Sequence, residues 1–335
     1  MGDLARVGVV SHDATGVSTF GLVLHPTKPV DQSVRTITAW ARSHAGRVLA
    51  REQDRHRLPA DVEIVGEDVF VAQADGIVAL GGDGTMLGAM RLVIDRPVPV
   101  LGVNHGNLGF LVEVMPQALA PALAQLAAGD FTIESHACLV AEVEGITLAT
   151  GFGFNDVVLA RLGRRGAVSV DLAVNGLQYG YYKCDAVVLA TPNGSTAYNY
   201  AAGGPVISPS AAATVITPVA PMAGISRGVV LGASDRVSLS VAEDSAPVAI
   251  DVDGTAAGEL QPGDVLAAGL RVDAALVVRL SAGEHASRSR VKLSLLDLPV
   301  RRDQLLELIP EHLRREALRP AELSDRRSAA ADSAG

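Results

Sequence analysis

Gly76-Ile77-Val78-Ala79-Leu80, continuing into Gly81-Gly82-Asp83-Gly84-Thr85 and then Met86 to Val93, decides the fold class. The apolar run closed by glycines reads as a buried strand, and the stretch from Met86 to Val93 reads as a helix. A strand that turns at once into a helix is the unit of an open α/β sheet. Its turn lies at the carboxyl end of a parallel strand, where such sheets bind ligands. Three glycines let the backbone approach a phosphate closely, and the helix offers unpaired N–H groups and the positive end of its dipole. A carboxylate inside an anion site is unfavourable unless it has a task, such as accepting a hydroxyl proton or holding a metal. Asp83 is therefore the first candidate catalytic residue, although an isolated GGDGT also describes a turn in which Asp83 caps the helix.

Outward from this stretch the pattern repeats. Towards the N-terminus, Val7 to Val10 form a short apolar run, and Asp31 is placed to cap a helix carrying Val34, Ile37 and Trp40. Towards the C-terminus, Val98 to Val103 read as the next strand, and Pro116 opens an Ala/Leu-rich stretch to Ala128 that Pro121 is expected to break or kink. Strand, helix, strand in succession implies parallel strands with crossover helices. The loop Asn104-His105-Gly106-Asn107-Leu108-Gly109-Phe110-Leu111 follows at the same sheet edge as Asp83, as a pocket wall or a plain turn. Neither standard phosphate fingerprint is present: there is no Gly-Lys-Ser/Thr, and Gly102, Gly106 and Gly109 are wrongly spaced for GxGxxG.

The character changes near Gly129. From Phe131 to about Leu280 the sequence consists of short alternating runs between turn signals. Val168, Val170, Leu172 and Val174 alternate, Asn175-Gly176 supplies a type I′ turn, and Leu177, Tyr179 and Tyr181 alternate after it. A second hairpin turns at Asp253-Gly254. The reading is α/β plus β: an N-terminal open α/β, Rossmann-like domain over residues 1–129, joined to a C-terminal antiparallel β-sandwich over 130–289. Residues 290–320 are expected to be able to pack back on the first domain, with a helical patch from Asp303 to Leu318, and 321–335 form a disordered tail.

Composition bounds the function. With 335 residues, 48% hydrophobic and 19% charged, the chain has ample material for cores, and no apolar run approaches the roughly 18 residues of a membrane helix. The N-terminus lacks the features of a secretory signal. Two cysteines, Cys138 and Cys184, make neither a disulfide framework nor a zinc site, so a cytoplasmic setting is the expectation. A net charge of −9 without a basic stripe argues against nucleic acid, yet backbone amides and one or two local cations suffice for a small phosphorylated ligand.

A third polar stretch, Asn193-Gly194-Ser195-Thr196-Ala197-Tyr198 followed by Asn199-Tyr200-Ala201-Ala202-Gly203-Gly204-Pro205, offers hydroxyls, amides and an aromatic face after the apolar strand Asp185 to Ala190. Together with GGDGT, the Asn104–Leu111 segment and Asn155-Asp156-Val157-Val158, it resembles the NAD kinase family in order and spacing, over roughly residues 70–275. The resemblance implies an enzyme that transfers a phosphoryl group from ATP or polyphosphate to the adenosine ribose 2′-hydroxyl of NAD. The dinucleotide is bound between an α/β domain and a β-sandwich. It implies Asp83 as proton acceptor and a nucleotide site of Gly81, Gly82, Asp83, Gly84, Thr85, Asn104, Asn155 and Asp156. Lys183, Asp185, Asn193, Thr196, Ala197, Tyr198, Asn199, Tyr200, Ala201 and Thr255 complete that site. Mg²⁺ is expected on the donor phosphates, reaching Asp83 or Asp185 through water because no all-protein cage is evident. A homodimer or homotetramer is also implied.

Asp156 stands where the family usually has Glu, Asn193 where it has Thr, and Thr255 where Gln follows Asp-Gly. These departures keep open a dinucleotide-binding relative without turnover, and GGDGT alone also suits a lipid or small-alcohol kinase. Lys183 is expected to face the ligand, while Arg164 and Arg165 are read as solvated or at a subunit contact. Tyr179, Tyr181 and Tyr182 are expected to pack the sandwich, and Cys184 to be an inert thiol. Asp251, Asp253, Asp264 and Asp273 fall at strand ends and turns, where Asp is common, and are read as structural.

Overall fold

The computed structural model describes residues 9–10, 16–106, 109–163 and 166–281. Arg164, Arg165, Asn107, Leu108, Val7 and everything read above into the segment after Ala282 lie outside the described residues.

Five parallel strands occur in the order Glu63–Val65, Arg47–Arg51, Thr19–Leu24, Gly76–Gly81, Pro99–Asn104. The chain builds outward from Thr19–Leu24 in one direction, then returns to lay down Gly76–Gly81 on its other side. The topological reversal therefore lies between Thr19–Leu24 and Gly76–Gly81. Every residue of both strands is buried, because helices cover both faces. Asp31–Ser43 and Leu119–Ala128 pack on one face through Val34, Ile37, Leu123 and Leu126, and Glu67–Gln73 and Asp83–Leu92 on the other through Phe70, Met86 and Met90. Each such side chain, taken out of water, contributes about 1.5–3 kcal/mol.

The run at Val9–Val10 is not the opening strand of the parallel ladder; it pairs antiparallel with Thr132–Val143. The opening strand is Thr19–Leu24. Pro121 does not break its helix, because the α-helix begins at Leu119 after a 3₁₀ turn at Pro116–Ala118, leaving Pro121 in a first turn that needs no N–H donor.

The long strand Val265–Arg279 joins the two halves of the sequence: it is parallel to Pro99–Asn104 and antiparallel to Thr132–Val143 and Arg236–Val241. A sheet of 13 strands thus runs from the parallel region into the antiparallel one. Its antiparallel part packs against a second sheet, ordered Val229–Gly232, Ala213–Val219, Ala186–Ala190, Asp156–Arg161, Val248–Val252, Thr255–Leu260. The sandwich core contains Leu159, Val170, Leu172, Leu189 and Ile250. The hairpin through Asn175-Gly176 forms as expected, with both turn residues at positive φ. Tyr182 is buried in the core. Tyr179 and Tyr181 are not: they stand on the opposite side of the strand Leu177–Cys184 and are exposed, a correction that follows from the two-residue period. Both cysteines are free and buried, and burial pushes each thiol up to about 11.

Candidate active site

Strand Gly76–Gly81 ends where Gly82 takes an extended conformation, and Asp83 is the first residue of the helix Asp83–Leu92. A side chain at Gly81 would place its Cβ 2.0 Å from Thr85 Oγ1, so only glycine allows this tight a start. The Asp83 carboxylate is fixed by the next loop. Oδ2 accepts from the N–H of Phe110 at 2.7 Å, and Oδ1 from the N–H of Leu111 at 3.0 Å. A Cβ on Gly109 would lie 2.0 Å from Oδ1, so that glycine is what lets the loop close over the carboxylate. Asn104 shapes the same loop from within, its Oδ1 accepting from the N–H of Gly106 at 2.9 Å. His105, read as a loop residue, contacts Ser33 Oγ through Nε2 at 3.0 Å. Asp83, Gly82, Gly84 and Thr85 line an open cleft of about 710 Å³.

A second cluster forms around Asn155 and Asp156. The side chain of Asp253 is fully buried, and its carboxylate accepts from the N–H groups of Phe154 at 3.0 Å, Asn155 at 2.7 Å and Asp156 at 3.1 Å, and from the Arg91 guanidinium at 3.2 Å. Asp253 itself sits at φ 48° in its turn, a left-handed position that Asp tolerates. The Asn193 turn closes onto this loop: Thr191 Oγ1 donates to the Phe154 carbonyl at 2.6 Å, and a Cβ on Gly194 would lie 1.9 Å from the Asn155 carbonyl oxygen. Burial, and then the charges of Asp253 and Asp251, push the Asp156 carboxyl up to about 7. Because Arg91 lies in the same helix as Asp83, one helix connects the two clusters.

A buried polar chain joins them on the other side. Arg279 donates to the Leu111 carbonyl at 3.0 Å, to Glu113 at 3.4 Å and to Glu134 at 2.6 Å. Glu134 pairs with His136 at 3.0 Å, and His136 Nδ1 lies 2.9 Å from Asn193 Nδ2. Burial alone would raise the Glu134 carboxyl, but His136 and then Arg279 hold it well below the usual carboxylate range. Asn193, where a threonine was the expectation, is thus tied to a histidine in the core.

The remaining sequence-derived residues separate into groups. Thr196 Oγ1 donates to the Asn193 carbonyl at 3.2 Å, and Ala197 leads into the short helix Tyr198–Ala201 with Tyr198 exposed and Tyr200 half-buried. Asn199 is fully buried, with its amide engaged by Ser195, Pro205 and Thr217. Lys183 pairs with Asp244 at 2.7 Å and Asp185 with Arg161 at 3.3 Å. Both precede the strand Ala186–Ala190, at the end opposite to Asn193, and neither lines the Asp83 cleft. Thr255 is exposed at the start of Thr255–Leu260.

Sequence reasoning gave no functional weight to Asp253, Arg279 or His136. The signal available for Asp253 was its place in an Asp-Gly turn; for Arg279 it was a charge ending an apolar strand.

Comparison with known proteins bears on this geometry. Residues 20–131 match the family model described as the ATP-NAD kinase N-terminal domain, and residues 154–275 the ATP-NAD kinase C-terminal domain. NAD kinase 1 of Streptomyces avermitilis is 33% identical over 326 residues, covering 84% of this chain and 89% of its own. The NAD kinase of Symbiobacterium thermophilum is 36% identical over 278 residues, covering 82% and 98%. Among solved structures, yeast NADH kinase complexed with NADH superposes with a TM-score of 0.75 at 21% identity, covering 86% of this chain and 90% of that one. An NAD kinase from Archaeoglobus fulgidus in complex with ATP superposes with a TM-score of 0.61 at 19% identity, covering 83% and 98%. The fold is that of these structures.

Proposed function

From the premise that the chain belongs to the ATP-NAD kinase family, we propose that it makes NADP by phosphorylating the adenosine ribose 2′-hydroxyl of NAD, with Asp83 as the proton acceptor. The bond from the ribose 2′-oxygen to the donor's terminal phosphorus forms, the phosphoanhydride bond of the donor breaks, and the hydroxyl proton passes to Asp83. With ATP as donor, ADP leaves. Phosphoryl transfer draws its acceleration mainly from positioning and electrostatics, and the observation that carries this reading is the double amide clamp on the Asp83 carboxylate. It holds a carboxylate at the carboxyl end of a parallel strand, at the rim of a cleft, which supports the reading.

The family generally requires a divalent metal. Among the described residues no three acidic, histidine or cysteine side chains converge as a cage. Each Asp83 oxygen accepts one amide hydrogen and keeps further acceptor capacity, which suits a hydrated ion carried in on the donor's phosphates. Mg²⁺ is the proposed ion; bound there it would neutralise developing charge on the phosphoryl oxygens. Asp83 is better placed for it than Asp185, which is paired with Arg161 outside the cleft.

No helix among the described residues is long and apolar enough to cross a membrane. The cytoplasm is the proposed setting, which two free buried thiols suit. Assembly into homodimers or homotetramers is likewise proposed. The test of the activity is to incubate purified protein and Mg-ATP with NAD, NADH or diacylglycerol. NADP or NADPH is the expected product; phosphorylated lipid alone, or dinucleotide binding without product, contradicts the reading.

A further inference from the structure

His136, on the strand Thr132–Val143, is 1% exposed, and the phosphoryl transfer described above makes no use of it. Alternate residues of a strand share a face, so Glu134 stands beside it. The neighbouring strand is irregular at this point. Pairing of Val265–Arg279 jumps from Arg271 with Cys138 to Ala275 with His136, so that Val272, Asp273 and Ala274 stand opposite the single residue Ala137. Asp273 takes a left-handed φ of 51° there, and Ser135 donates its hydroxyl hydrogen to the Asp273 carboxylate, which pins the irregularity. Bulges re-aim side chains and are over-represented next to active sites.

Both ring nitrogens are engaged. Nε2 lies 3.0 Å from Glu134 Oε1, and Nδ1 lies 2.9 Å from Asn193 Nδ2. A carboxylate accepts and an amide nitrogen donates, so both contacts are satisfied when the ring carries its proton on Nε2 and leaves Nδ1 as a bare acceptor. Glu134 already has a cation in Arg279 at 2.6 Å, and the ring does not have to supply another.

The histidine thereby orients the Asn193 amide. Its nitrogen is held against the ring, while Oδ1, on the other side of the amide, accepts no hydrogen bond among the described residues. Asn193 is half-buried, so that oxygen is not sealed in the core. The backbone of the turn is fixed separately, with Thr191 Oγ1 accepting from the N–H of Gly194 at 2.9 Å and Thr196 Oγ1 donating to the Asn193 carbonyl at 3.2 Å. A threonine in this place would offer a hydroxyl that donates or accepts as it rotates. An asparagine held by a histidine offers an acceptor in one direction.

We propose that His136 is a positioning residue for the dinucleotide: by accepting from Asn193 Nδ2 it turns Asn193 Oδ1 away from the ring as a fixed acceptor, matched to a hydroxyl or amide N–H donor of the dinucleotide. The assignment rests on the kinase reading above, which puts the dinucleotide at the Asn193 turn. His136 touches no substrate itself and acts through Asn193. Its other nitrogen anchors it to Glu134 and Arg279, and Arg279 holds the Leu111 carbonyl beside the Asp83 clamp. The same buried chain therefore ends on the proton acceptor at one side and on the amide of Asn193 at the other.

The test compares His136→Gln with His136→Asn, which remove the same ring. A glutamine amide reaches to the place of Nε2 and keeps the contact with Glu134; an asparagine amide reaches to the place of Nδ1 and keeps an acceptor for Asn193. Titration calorimetry with NAD reads affinity without turnover, and thermal unfolding checks that each variant is folded. His136→Gln should bind NAD about tenfold more weakly than wild type, and His136→Asn about fivefold more tightly than His136→Gln, the scale of one hydrogen bond. Asn193→Ala should weaken NAD binding in the wild-type background and add little to His136→Gln. In the ¹H–¹⁵N NMR spectrum of the wild-type imidazoles, the signal lost in His136→Gln should be that of a neutral ring protonated on Nε2. Equal NAD affinity in the two folded variants, full additivity with Asn193→Ala, or an imidazolium signal, which would put Asn193 Oδ1 on the ring, would each overturn the assignment. His136-dependent NAD binding by a wild type that makes no NADP would overturn the kinase reading and retain the assignment, and NADP formation with equal affinity in the two variants would do the reverse.

Discussion

Arg91, near the end of the helix that Asp83 begins, is hydrogen-bonded at 3.2 Å to the fully buried carboxylate of Asp253, in a turn of the sandwich. That carboxylate also orders three successive amides from Phe154 to Asp156. One side chain thereby fixes the spacing between the two halves of the candidate site.

Removing Asp253 strands a half-buried guanidinium and three amide donors. Asp253→Ala is expected to cost about 3–5 kcal/mol, the range for breaking a buried pair from one side. Urea unfolding measures it, and a loss under 1 kcal/mol would show that the amides find other acceptors.

Asp156 gives the protein a specific pH dependence. Its carboxyl is raised in the folded state from 3.8 to about 7, so the unfolded chain releases its proton first as pH rises. Between about pH 4 and 7 folding takes up a proton, and this group's contribution to stability falls as pH rises, levelling off above 7. Asp156→Asn removes that titration. Relative to wild type, the variant should gain about 2–3 kcal/mol in unfolding free energy between pH 5 and pH 8. A pH-independent difference would place the titration elsewhere.

Arg279 is 5% exposed and holds Glu113, which is about as buried, together with Glu134 and the carbonyl of Leu111. Arg279→Met removes the guanidinium that Glu113 and Glu134 share and should cost about 3–5 kcal/mol. Thermal unfolding reads the loss. Turnover should also fall, since the Leu111 amide clamps Asp83.

Gly109 isolates the geometry of that clamp. Gly109→Ala would push a methyl group to 2.0 Å from Asp83 Oδ1, so the carboxylate or the loop has to move. A displacement near 1 Å costs about 10²-fold in rate, and kcat should fall by that order while the melting temperature changes little. Wild-type turnover in this variant would mean that the position of Asp83 is unimportant.

What the sequence made legible follows from what is contiguous in it. Gly81 to Thr85 folds against itself, so the tight turn and the helix start are both contained in one local stretch. The opening strand Thr19–Leu24 was hidden because Gly21 interrupts its apolar run. The structure explains that glycine: a Cβ there would meet Ile77 and Phe70 side chains at 2.7 Å. Asp253 and Arg279 were invisible as site residues for another reason. Their partners lie 98 and 168 positions away, and no local period encodes such pairings. Tyr179 and Tyr181 show the limit of composition, since an aromatic in a strand belongs to whichever face its register assigns.

Asp83 is proposed to take the proton from the ribose hydroxyl, and the rate of NADP formation by purified Asp83→Asn reads that step. With NAD affinity measured on the same sample, dinucleotide binding within a few-fold of wild type and kcat reduced by about 10² or more are expected. A variant that binds NAD and forms NADP at close to the wild-type rate would contradict it.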